Sequence, residues 1–84
     1  MSMVVDCTGL EDARQLHELL KDQLHFPDHY GYNLDALFDC LTDIRADTTI
    51  RLEGFMELGQ WRDRFANTFA NAALENPHLD IILT

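Results

Sequence analysis

Three aspartates, Asp35, Asp39 and Asp43, recur every fourth residue along one stretch of this chain. On an α-helix that spacing stacks them along one stripe, where neighbouring like charges cost about 0.2–0.5 kcal/mol per pair. Only Asp35, in the first turn, recovers something from the helix dipole. Immediately upstream, His29, Tyr30 and Tyr32 crowd around Gly31. Carboxylates beside aromatic rings suit a surface that meets arginine, lysine or histidine side chains of a partner, because aromatic groups anchor interface centres. A charge run is otherwise a solvated helix face. A stripe that costs stability locally and adjoins an aromatic loop favours the docking surface. Tyr30 is the ring expected to pack inward.

Other chemistries fit less well. His25 and His29 are four residues apart with Asp28 between them, but Pro27 works against the helix that would align them, and no third ligand stands at a recognisable spacing. No metal and no cofactor are expected. Cys40 follows Asp39, yet it lies inside an amphipathic helix, where the surrounding carboxylates would raise its pKa instead of activating it. There is no glycine-rich phosphate loop and no strand-turn-helix nucleophile elbow. No catalytic residue is assigned, and the chain is not expected to be an enzyme. Cys7 and Cys40 read as reduced thiols packed as small core residues.

Fifteen acidic residues against six basic ones give a formal net charge of −9 on 84 residues. That balance disfavours nucleic acid and anionic membrane as partners, since both would repel it. It favours a cationic partner whose approach is accelerated by steering. The length suits a single domain spanning residues 1–84, with a modest core that buries about 60–65% of the unfolded surface. An apolar content of 46% argues against disorder. No apolar run is long enough to span a bilayer, and no secretory signal is visible, so a cytoplasmic location is the expectation.

The elements that must hold the stripe follow from periodicity. Met3-Val4-Val5 reads as a strand broken by Thr8-Gly9. Asp12 and Gln15 suggest a capping box, and Ala13, Leu16, Leu20 and Leu24 recur at helical spacing to Leu24, with Pro27 preventing continuation. Gly31 lets the following loop turn sharply. Asn33 caps a second helix with Leu34, Leu37, Phe38, Leu41 and Ile44 on its apolar face. Thr48–Glu53 alternates as a strand ended by Gly54, with a short helical turn over Phe55–Leu58. Trp61, Phe65, Phe69 and Ala72 or Ala73 mark a helix from about Gln60 to about Glu75, stopped by Asn76-Pro77. Leu79–Leu83 is a final, mostly apolar strand expected to be well covered. The order β-α-α-β-α-β predicts a small two-layer α/β domain, with a three-stranded parallel sheet and right-handed crossovers.

The stretch Tyr30-Gly31-x-Asn33-Leu34-Asp35-Ala36-Leu37-x-Asp39-Cys40-Leu41-Thr42, preceded by Pro27, resembles the core motif of the barstar family, intracellular inhibitors of secreted guanyl-preferring ribonucleases of the barnase type. A weaker similarity extends to Leu16-His17 and to Asp80-Ile81-Ile82-Leu83, and the element order agrees. The resemblance implies that the loop and second helix plug a ribonuclease active site. It places Asp39 in the phosphate pocket against catalytic arginine and histidine, and Asp35 against further basic groups. Gly31, Asn33 and Leu34 match loop contacts, with His29, Tyr30 and Phe38 completing the surface.

Against that pattern, His29 stands where the family has Tyr, and Phe38 where it has Trp. Asn71 replaces a family Glu, Tyr32 replaces an acidic residue, and the segment before the last helix is shorter. The expectation is a protein inhibitor of a basic ribonuclease, serving immunity or self-protection and monomeric when free. The alternative is an acidic interaction module for a different cationic partner.

Overall fold

Each element forms where the side-chain pattern asks for it. A computed structural model describes residues 1–84. Strand β1 spans Ser2–Asp6, helix α1 Ala13–Leu24, helix α2 Leu34–Thr42 and strand β2 Thr48–Glu53. A single 3-10 turn at Phe55–Glu57 leads to helix α3, Arg62–Glu75, and strand β3, Leu79–Leu83. The three strands are parallel in the order β1-β2-β3, with Val5 opposite Leu52 and Leu52 opposite Leu83. The β-α-α-β-α-β order and the parallel sheet match the expectation.

Both crossovers step the same way across the sheet, so right-handed connections put their helices on one face. The strand pattern agrees. Val5, Ile50, Leu52 and Leu79 are buried, while Val4, Arg51, Glu53 and Asp80 alternate outward. The covered face meets Leu16 and Leu20 of α1, Leu37 and Leu41 of α2, Phe65, Phe69 and Ala72 of α3, and Phe55, all in one core cluster. Strand β3 departs from the expected full cover, because Asp80 and Ile82 lie on the open face of a two-layer structure.

Helix ends are held by short-range chemistry. Asp12 accepts from the Gln15 amide at 2.9 Å, and the Gln15 side chain reaches back to the Glu11 amide at 2.7 Å. The reciprocal bond thus falls one residue upstream of the capping-box position. Helix α1 stops before Pro27, because His25 takes a left-handed conformation (φ 56°) as its C-cap. Helix α3 starts two residues later than its periodicity suggests, leaving Trp61 at its N-cap with no side-chain cap bond. Gly54 has φ 77°, and a Cβ there would meet the Thr8 hydroxyl at 3.0 Å and the Thr8 amide at 3.3 Å. Both space and conformation therefore ask for glycine after β2.

Asn76 ties the second helix to the sheet. It is 4% exposed. Its amide nitrogen donates to the carbonyls of Leu41 and Ile44, both at 2.9 Å, and its oxygen accepts from the His78 amide at 3.0 Å. These bonds satisfy the Ile44 carbonyl and reinforce that of Leu41, whose bond from the Ile44 amide is long at 3.4 Å.

Candidate functional site

The loop between α1 and α2 rests on one buried pair. Tyr30 is 4% exposed, and its hydroxyl lies 2.6 Å from Nδ1 of His17 on α1. Burial and the Arg14 charge push the His17 pKa below its ordinary value, so the ring favours the neutral state. Burial pushes the Tyr30 hydroxyl well above the usual tyrosine range, so it stays protonated. A neutral phenol bonded to a neutral imidazole satisfies both groups without burying a charge. The Tyr30 ring also packs against Phe26 and Tyr32, at centroid distances of 4.9 and 5.3 Å.

The sharp turn falls on Tyr32, not on Gly31. Tyr32 has φ 52°, whereas Gly31 is not among the positive-φ residues. An aromatic residue in the left-handed region costs of order 1–3 kcal/mol, so neighbouring contacts must hold it there. The Arg14 guanidinium sits 4.0 Å from the Tyr32 ring centroid, a cation–π contact, and the Tyr30 ring meets Tyr32 edge-on. Gly31 leaves room for the Asn33 side chain. A Cβ there would come within 2.9 Å of Asn33 Nδ2, which donates to the Gly31 carbonyl at 3.2 Å. Asn33 is the N-cap of α2 as expected, its Oδ1 accepting from the Ala36 amide at 2.8 Å.

From that cap, α2 carries its aspartates outward. Asp35, Asp39 and Asp43 are all exposed. None of their carboxylates takes part in a hydrogen bond or ion pair within the chain. The structure divides the stripe. Asp39 and Asp43 border a cleft of about 400 Å³ between α2 and the loop, together with His25, His29, Tyr30 and Cys40. Asp35 faces a second cleft, of about 660 Å³, shared with Asn33, Leu34, Trp61, Arg64 and Phe65. Asp43 is the C-cap of α2, so the stripe's third member lies just past the helix. It is exposed and borders the same cleft as Asp39.

The remaining residues singled out in the sequence distribute around these clefts. Gly31 borders the first. Phe38 borders neither and packs half-buried against the core. Cys40 is half-buried instead of fully in the core, while Cys7 is fully buried, and both are free thiols. Burial, then Asp43 and Asp39, raise the Cys40 pKa, which holds the thiol protonated and disarms it as a nucleophile. The Cys7 thiol is pushed up to about 11, chiefly by burial.

Sequence reasoning missed three contributors. His17 showed only as a weak motif match, although a buried polar residue on an apolar helix face could have flagged it. Asn76 read as a helix stop and not as a brace. Arg64 carried no signal, because its place beside Asp35 depends on how α3 packs on α2.

Two comparisons with known proteins agree. The family model described as Barstar (barnase inhibitor) matches residues 1–76. A protein of Bacillus subtilis (strain 168) named "Putative ribonuclease inhibitor YrdF" is 39% identical over 74 residues, covering 87% of this chain and 77% of that protein. Members of the matched family are inhibitors and not enzymes, in keeping with the disarmed Cys40 thiol. Matched over residues 1–76, with the expected strand and helix order in place, the chain belongs to the barstar family.

Proposed function

We propose that this protein inhibits a basic ribonuclease by lodging Asp39, with Asp35 beside it, in the enzyme's phosphate-binding centre. A ribonuclease site is built to hold a phosphodiester, so it concentrates positive charge. A carboxylate held in place can substitute for the phosphate through charge-assisted hydrogen bonds. One observation carries the reading. The Asp35 and Asp39 carboxylates have no internal partner, yet they project from a helix locked at both ends, by Asn33 and by Asn76. A rigid, unsatisfied anion loses little entropy on binding and gives up no internal bond.

His29, Tyr30, Gly31, Asn33, Leu34 and Phe38 complete the contact surface in this reading. Tyr30 acts from below, by supporting the loop. His29 is exposed at the edge of the Asp39 cleft, where its ring can meet the partner. The net charge of −9 accelerates association with a cationic enzyme. The protein is a monomeric inhibitor acting in the cytoplasm, where it protects its own cell from a secreted or toxin ribonuclease.

The test is inhibition of RNA cleavage across a panel of small basic microbial ribonucleases, including any encoded beside this gene. Inhibition at nanomolar to micromolar protein, weakened by added salt, supports the reading. If every enzyme keeps full activity, and the protein instead captures an unrelated cationic protein through the same surface, the alternative of a general acidic docking module replaces it.

A further inference from the structure

The second cleft differs in kind from the first. Its wall is aromatic, with Trp61 set edge-on to Phe65 at a centroid distance of 5.8 Å. Its rim carries Asp35 on α2 and Arg64 on α3. Neither charged group has a partner in the chain. The nearby Arg62 shows what a structural arginine looks like here, since its guanidinium donates to the carbonyls of Leu58 at 2.8 Å and Gly59 at 3.4 Å. The Trp61 indole N–H makes no hydrogen bond, and it is not among buried unsatisfied groups, so it is an open donor. A free anion, a free cation and a free donor thus surround an apolar wall.

We propose that this cleft is a second contact zone that sets which ribonuclease the protein binds; the inference rests on the inhibitory reading above. The occupant is a surface segment of the same enzyme, outside its phosphate centre. It places an apolar or aromatic side chain on Trp61 and Phe65 and a carboxylate on Arg64, while Asp35, at the border of the two zones, stays with the basic groups of the phosphate centre. The carboxylate follows from electrostatics. An unpaired arginine in an interface aimed at a basic enzyme repels it unless the enzyme sets an anion opposite. Groups that hold phosphate are common to ribonucleases, so a match beyond them is what separates one enzyme from another. The cleft continues directly from the Asn33–Leu34 edge of the loop, so one partner can reach both.

The experiment uses a ribonuclease that the wild-type protein inhibits and measures Kd for Asp39→Ala, Arg64→Glu, Trp61→Ala and Trp61→Phe, with thermal unfolding as a fold control. Arg64 is exposed, so Arg64→Glu leaves the fold intact. The expected result is at least tenfold weaker binding for Arg64→Glu and Trp61→Ala, less for Trp61→Phe, and recovery of Arg64→Glu when a facing enzyme carboxylate is changed to lysine. If Asp39→Ala weakens binding strongly while Arg64→Glu and both Trp61 variants stay within twofold, the second zone is overturned and the inhibitory reading stands. If Asp39→Ala also has no effect, the inhibitory reading falls, and this inference falls with it.

Discussion

Two faces of the molecule carry exposed charge, and they handle it in opposite ways. On the sheet side Asp80 stands alone, but Arg51 pairs with Glu53 at 3.2 Å, and near its edge Asp47 contacts His78 at 2.9 Å. On the α2 side, Asp35, Asp39 and Asp43 stand without partners around two clefts. Exposed pairs such as Arg51–Glu53 contribute little, about 0–1 kcal/mol, and leave no unmet demand. The unpaired carboxylates make no ion pair within the fold and keep their full capacity for a partner. Net charge alone does not distinguish these faces. What distinguishes them is whether the charge is already used.

The sharpest way to break the contrast is affinity. Asp39→Ala is expected to weaken ribonuclease binding by more than about 2 kcal/mol, the general hot-spot threshold, to which measurements on barnase–barstar itself contributed. Arg51→Ala on the sheet should change binding negligibly. Equal losses, read by calorimetry, would mean that only overall charge matters.

Next in size is the brace under α2. Asn76→Ala leaves the Ile44 carbonyl without its donor and the Leu41 carbonyl with the long 3.4 Å bond from the Ile44 amide, and should cost about 1–3 kcal/mol in urea unfolding. Asn33→Ala removes the helix cap at the opposite end and should cost about 1 kcal/mol. Both should also loosen binding if helix rigidity matters, whereas stability losses elsewhere in the fold should not.

A graded effect comes from His17. Its folded-state pKa lies below the unfolded value of 6.5, so the unfolded chain binds the proton first as pH falls. Its contribution to stability is therefore complete above about pH 6.5 and declines below that, until the pH passes the lowered folded pKa. Unfolding free energies measured from pH 8 to pH 5 should show this slope, and His17→Gln should remove its share. The smallest effect is on the sheet. Glu53→Ala should shift stability by less than about 0.5 kcal/mol, because both partners are half-exposed.

Much of the architecture is legible in single stretches. The alternation in Thr48–Glu53 marks β2, the spacing of Leu16, Leu20 and Leu24 marks α1, and Asn33 marks the start of α2 at the residue where it occurs. These signals are short-range, set by backbone geometry and side-chain period. The loop was less legible. Gly31 suggested the left-handed turn, yet that conformation falls on Tyr32, where contacts from Arg14 and Tyr30 offset a strain that local propensity would avoid.

By itself, the sequence determined the order of elements, the helix that carries the aspartates, the residue that caps it and the overall acidity. All of these arise from residues within a few positions of each other or from composition. Only the tertiary structure decided that Tyr30 rests on His17, thirteen residues away, and that Asn76 braces α2 from thirty-five residues beyond Leu41. It also decided that one helical stripe opens into two clefts, with Arg64 of α3 and Asp35 both lining the second. Those pairings depend on how helices pack against one another, a relation that periodicity along the chain does not encode.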